Sequence, residues 1–253
     1  MHASLRSMGM VSDGAFTVVR ALRSTLGNQG TLVVPTFTPG NSLTSRIYLA
    51  KAQGMTPRQL ESLHARMEPF EAATTPSEGM GVIAEQVRTT VGAARSDHPQ
   101  TSFAALGPGA RWVVAHHARD CLLGERSPLG RLYDCDADIL LLGVGFEVCS
   151  AFHMAEYRLP APTRQYDCKV AGRAGPHWTS FVDVDLDDSD FGELGRWLEV
   201  SSCHGGEAPV TRGRVGGADS RRFSLRWAVH GAVAWMASSR NRPHSASEAH
   251  CPR

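Results

Sequence analysis

Several absences narrow the field before any motif is considered. No apolar run among the 253 residues approaches the roughly 20 needed to span a bilayer. The opening Met1-His-Ala-Ser-Leu-Arg6 lacks the apolar core of a secretory signal. Together these lead to the expectation of a cytoplasmic protein without a membrane partner. Cys-x-x-Cys pairs are also missing. Cys121, Cys135, Cys149, Cys168, Cys203 and Cys251 are too scattered for a zinc site or a disulfide framework, so free thiols and no metal are expected. Charge imbalance is absent too: 26 basic side chains face 25 acidic ones, and a net charge of +1 offers no field that would gather nucleic acid. Lysine is nearly missing, with Lys51 and Lys169 its only representatives, so arginine carries the basic charge.

What remains is ordinary globular composition, 42% hydrophobic and 20% charged, in a chain long enough for one large core. Residues 13–27 place Ala15, Val18, Val19, Leu22 and Leu26 at helical spacing with Gly27 as a stop. Gly30-Thr-Leu-Val-Val-Pro35 reads as a short buried strand. Residues 39–78, rich in Pro and Gly, read as an irregular loop or lid with a possible helix at 58–68. A helix is expected over 79–92, a strand over 102–105, a helix over 110–118 and a loop over 122–130. Further on, 178–186 alternates like an antiparallel strand, Asp187–Asp190 caps a helix reaching about residue 199, and 225–238 forms a last amphipathic helix. Strands alternating with helices point to an α/β protein without a linker or repeat: one domain over 1–238 and a polar, fraying tail over 239–253.

The stretch with most chemical promise is Ile139-Leu-Leu-Leu-Gly-Val-Gly-Phe146 running on to Tyr157. It reads as a buried strand breaking into a tight turn, then Ser150 as N-cap of a helix. On that helix His153 and Glu156 stand three residues apart and share a face. An imidazole and a carboxylate beyond the end of a buried strand occupy the usual place for a site in an open α/β sheet. Spacing alone also allows a plain capped helix whose histidine is satisfied or exposed.

Several stretches, in order, resemble the aminoglycoside 3-N-acetyltransferases, also called antibiotic N-acetyltransferases. They are His2-Ala-Ser-Leu-Arg-Ser-Met-Gly9, Gly30–Thr38, Thr74-Thr-Pro-Ser77 with Met80-Gly81, Arg95-Ser-Asp-His-Pro99, Ser102-Phe-Ala-Ala105, Ser127-Pro-Leu-Gly130 and Leu140–Glu156. Asp190-Phe-Gly192 and Gly213-Arg-Val-Gly216 match more weakly, and the resemblance runs from residue 2 to about 236. It implies a single-domain α/β fold of that family's own type, a central mixed sheet flanked by helices. It does not imply the GNAT fold, whose pyrophosphate loop fails here because Val11 follows Arg6-Ser-Met-Gly9 where Gly or Ala is required.

The activity implied is acetyl transfer from acetyl-CoA to the 3-amino group of an aminoglycoside's deoxystreptamine ring, giving antibiotic resistance. Such chemistry needs a base for the ammonium form of the amine. By resemblance His153 is that base, and Glu156 either orients its ring or holds a substrate ammonium. His98 lines the site or bonds a loop carbonyl. Ser4, Leu5, Arg6 and Ser7, with Ser102 and Phe103, lie along the CoA. Thr36, Thr38, Asp97, Asp187 and Asp190 are substrate-binding candidates, the aspartates because a polycation calls for carboxylates. Family members carry further residues ahead of the first strand, so the resemblance also implies a start short of the usual one. Cys203-His-Gly-Gly-Glu-Ala-Pro209 reads as an insertion. Competing readings are a biosynthetic N-acetyltransferase for another amine, a truncated homologue that binds without turnover, and a metallohydrolase on His116, His117, His153 and Glu156. The last is weak, because adjacent histidines on a helix point apart.

Overall fold

The computed structural model describes residues 1–201 and 209–240; residues 203–208 of the expected insertion and most of the expected tail lie outside the described residues. The described strands form three sheets. A mixed sheet has the order β1 (His2–Ala3), β5 (Asp138–Leu142), β9 (Ala218–Ser224), β8 (Thr211–Val215), with only β1 and β5 parallel. An antiparallel sheet joins β2 (Leu32–Pro35), β4 (Phe103–Leu106) and β3 (Ala94–Arg95). A hairpin pairs β6 (Thr163–Val170) with β7 (His177–Val184) from Thr163 opposite Val184 to Val170 opposite His177.

Strand side chains alternate between faces, and here the alternation divides the interior in two. Leu32, Val34, Ala104, Leu106 and Leu142 point into a smaller core with Val18 and Val19 of α2 (Ala15–Leu26) and Ile83 and Val87 of α5 (Gly81–Thr89). Val33, Phe103, Ala105, Ile139 and Leu141 point the other way into a larger core. That core is completed by α9 (Phe191–Ser201) and α10 (Leu225–Ser239), whose Phe191, Leu194, Ala228, Ala232 and Met236 are buried. Gly195 lets α9 approach the turn after β5: a Cβ there would lie 2.0 Å from the Phe146 ring.

The expected α/β fold, a mixed sheet flanked by helices, is present. Local differences have local causes. The stretch 39–78 holds the helix expected near 58–68, as α4 (Pro57–Arg66), and an additional one, α3 (Arg46–Ala52); they are capped by the hydroxyls of Thr56, in a capping box with Gln59, and of Ser45. The helix expected to reach residue 118 is α6 (Ala110–Val114), which stops early because Ala115 is extended and His116 is left-handed at φ +51°. That reversal turns His117 into the interior. The expected loop at 122–130 ends in α7 (Pro128–Asp134), started by Ser127 as N-cap with proline in the first turn.

Candidate active site

Beyond β5 the chain turns through Gly143, left-handed at φ +69°, and passes so close to the N-terminal loop that a Cβ there would sit 2.7 Å from Ser7 Cβ. Two tight turns, Phe146–Val148 and Ser150–Phe152, lead into α8 (His153–Glu156). Ser150 is therefore inside a 3-10 turn and makes no side-chain cap, contrary to its expected N-cap role. Met154 and Ala155 anchor α8 in the larger core, which leaves His153 on the wall of a cleft of about 260 Å³. His2, Phe37, Glu147, Asp188 and Phe191 are among the other lining residues.

His153 Nδ1 donates to Glu156 Oε2 at 2.6 Å, and the ring packs on Phe191 with centroids 4.7 Å apart. Its Nε2 makes no hydrogen bond to the described residues. Glu156 is only 3% exposed, and its other oxygen accepts from the Asp187 N–H at 3.0 Å and from Arg240 Nη1 at 2.6 Å. Arg240 also grips Asp190 through Nε and Nη2, at 2.8 and 2.6 Å, and donates to the Asp187 carbonyl. Burial works against the Arg240 charge, but Asp190 and Glu156 outweigh it and raise its pKa above the ordinary range. A buried carboxylate stays ionised only with such partners, and removing one typically costs about 3–5 kcal/mol. On the far wall, His2 Nε2 accepts from the Ser150 N–H, and burial, then the nearby amino terminus and His153, push the His2 pKa down to about 3.

The acidic stretch is split in its duties. Asp188 lines the cleft and pairs with the exposed Arg46 at 2.7 Å. Asp187 and Asp190, the two singled out from the sequence, hold the Glu156–Arg240 cluster instead. Asp97 is exposed in a separate surface hollow with Arg119 and Arg173.

Other expected site residues lie in a buried polar seam away from this cleft. His98 is fully buried: Nε2 donates to the Arg119 carbonyl, and Nδ1 accepts from the N–H groups of Gln100 and Thr101. Burial, then the His117 ring 4.5 Å away, hold its pKa well below the usual value. His117 is down at about 4 by burial, against the pull of the Leu122 and Cys121 carbonyls, and its Nδ1 pairs with Ser96. Both ring nitrogens of His117 are thus taken, and the four-residue metal reading does not assemble. Thr36 and Thr38 are fully buried, with hydroxyls donating to the carbonyls of Ser102 and Pro99. Ser102 bonds the Thr36 carbonyl and accepts from Arg95, while Phe103 packs edge-on against Phe37. The buried hydroxyls and His98 brace the strands behind the cleft, while Phe103 lines an adjoining hollow that shares Met1, His2, Pro35 and Ser150 with it.

Ala3, in the cleft lining, leads into the N-terminal loop. Ser4 caps α1 (Leu5–Met8), and Ser7 Oγ donates to the Gly143 carbonyl and is paired with Ser4 Oγ, so both hydroxyls are occupied in fixing the loop. Leu5 packs into the smaller core. Arg6 is exposed and has no ion-pair partner among the described residues. Its guanidinium is the group of this loop that fits a phosphate.

Sequence reading missed Arg240, placing it in a fraying tail; the available signal was an arginine at a helix C-terminus, where a cation is favoured. Asp188 was visible only as one carboxylate in a row.

Comparison with known proteins follows the same lines. A family model described as aminoglycoside 3-N-acetyltransferase matches residues 1–237. The chain is 32% identical over 247 residues to the SPbeta prophage-derived aminoglycoside N(3')-acetyltransferase-like protein YokD of Bacillus subtilis (strain 168), covering 93% of this chain and 84% of that one. Aminoglycoside N(3)-acetyltransferase VII of Streptomyces paromomycinus is 32% identical over 247 residues, with 93% and 83% covered. The crystal structure of YokD matches with a TM-score of 0.82 at 31% identity, over 93% of this chain and 89% of that one. The structure of AAC-IIIb, a binary complex with CoASH, matches with a TM-score of 0.77 at 25% identity, over 93% and 87%. The chain belongs to the aminoglycoside 3-N-acetyltransferase family, a family of acyltransferases.

Proposed function

We propose that this protein transfers the acetyl group of acetyl-CoA to the 3-amino group of an aminoglycoside, with His153 as general base, and so confers resistance. The observation that carries this reading is the His153–Glu156 pair on the cleft wall, 2.6 Å apart, with Nε2 uncommitted. An ionised Glu156 accepts from Nδ1–H, which leaves the Nε2 lone pair directed away from it and available to a proton. Aminoglycoside amines are ammonium ions near neutral pH, so attack requires proton removal. The ammonium first releases one proton to solvent; as the free amine's lone pair bonds to the acetyl carbon, His153 Nε2 takes a second proton from that nitrogen and the carbon–sulfur bond breaks. The same proton is then available to the departing thiolate. Acetyl-CoA supplies the activated acetyl group when bound.

The remaining cleft groups suit a cationic acceptor. Asp188 presents a carboxylate whose partner, Arg46, is largely exposed and held by a surface pair worth roughly 0–1 kcal/mol. Displacing it costs little. Arg6, exposed on the loop that follows Ala3 of the cleft lining, suits a CoA phosphate. With Glu156 fully engaged by His153, Asp187 and Arg240, its role is to orient the ring; a substrate ammonium would find no vacant oxygen there.

The test is thiol release from acetyl-CoA with a panel of deoxystreptamine aminoglycosides, followed by product analysis for the acetylated position. Turnover with acetylation at the 3-amino group is expected, together with a raised inhibitory drug concentration in cells expressing the protein. Acetyl-CoA binding with no aminoglycoside turned over would overturn the acceptor assignment.

A further inference from the structure

We infer that Arg240, at the C-terminal end of α10, is a positioning residue that sets the protonation of His153 through Glu156. This inference rests on His153 being the base. Arg240 does not line the cleft, so it touches no reacting atom. Its guanidinium is shared among three groups: Nη1 reaches Glu156 Oε1 at 2.6 Å, Nε and Nη2 clamp both oxygens of Asp190, and Nη2 reaches the Asp187 carbonyl. One planar fork thus ties α8, the loop ahead of α9 and the end of α10 to a single point. Lysine has the charge but not the fork.

Two consequences follow from the charges around the ring. From its own helix, His153 faces Glu156. From the loop ahead of α9 come Asp187, Asp188 and Asp190, from the turn after β5 comes Glu147, and from β1 come His2 and the amino terminus. Arg46 is paired to Asp188 at the cleft. Arg240 is the cation bonded directly to the dyad's carboxylate, and without it the surrounding carboxylates favour imidazolium over imidazole. A protonated His153 cannot accept the amine's proton. Arg240 also takes up the second Glu156 oxygen, which stops the carboxylate from swinging away from Nδ1. The guanidinium therefore opposes added positive charge on the ring and keeps it aligned.

The experiment compares full-length wild type with Arg240→Gln and Arg240→Lys. Arg240→Gln should lower kcat by about tenfold or more, a part of the hundred- to ten-thousand-fold a positioned base supplies. KM for the aminoglycoside should change little. The acid limb of kcat/KM should move up by roughly half to one pH unit, and Arg240→Lys should return much of that shift. An NMR titration of the His153 ring, without substrate, should show the same upward displacement in folded Arg240→Gln. A folded Arg240→Gln with a lowered melting temperature but wild-type kcat, pH profile and ring titration would overturn the inference and leave Arg240 as a structural clamp only. The ring titration reads the clamp even if no aminoglycoside is turned over, and His153→Ala with wild-type turnover would reject the base assignment on its own.

Discussion

His98 and His153 are both buried or nearly so, both bonded at Nδ1, and both expected from the sequence as site residues, yet the structure puts them to different uses. His98 has every ring nitrogen matched within the protein: Nε2 to the Arg119 carbonyl and Nδ1 to the N–H groups of Gln100 and Thr101. His153 commits Nδ1 to Glu156 and keeps Nε2 at the wall of a cleft. The difference is one unspent nitrogen at a surface a ligand can reach. Burial and hydrogen bonding alone do not make a site; a closed network of this kind supports one.

The comparison is most strongly broken at His153. His153→Ala should lower kcat by about a hundred- to ten-thousand-fold in a protein that still folds, at some cost in melting temperature, because Arg240 and the Asp187 N–H go on holding Glu156. His98→Ala should do the reverse. It strands the Arg119 carbonyl and two backbone N–H groups and opens a void, so chemical denaturation should show a loss of about 2–4 kcal/mol, with turnover per folded molecule retained. Equal activity losses in both would erase the distinction.

A smaller effect follows from pH. His98 and His117 are held neutral below the usual 6.5, His117 at about 4. His2 joins them at about 3, so the unfolded chain binds protons at three rings that the folded chain refuses, and the rings' contribution to stability, full above pH 6.5, should fall as pH drops toward 4, with a slope near three protons. Stability flat across that window would show all three rings charged in the fold. Asp188→Asn should raise the aminoglycoside KM by a few-fold, an effect that added salt diminishes, with kcat little changed. The smallest expected effect is at Arg126, whose pair with Asp120 is exposed on both sides; Arg126→Ala should cost under about 1 kcal/mol.

The fold was legible where local periodicity dictated it. The helices at 15–26, 81–89 and 225–239 and the strands at 32–35 and 138–142 carry their pattern in their own residues. Strands β6, β8 and β9 did not stand out, because β8 is exposed along its length and β9 carries Arg221 and Arg222 mid-strand. Their pairing is decided by distant partners, Leu141 opposite Arg221 among them. The dyad's shared face was legible because its two residues are three apart, and its role only because the stretch around it resembles a known family. Arg240 was not, since 84 residues separate it from Glu156 and only the packing of α10 against α8 brings them together. Thr36, Thr38, Ser102 and His98 carry chemistry-bearing groups in the right stretches, but the fold turns each inward to satisfy backbone that would otherwise be buried unpaired.

The most direct test of the central claim is thiol release by His153→Ala with acetyl-CoA and an aminoglycoside, with and without added imidazole. The account predicts near loss of turnover and its partial return when neutral imidazole enters the space the ring vacates. Wild-type turnover by the variant without imidazole would contradict it.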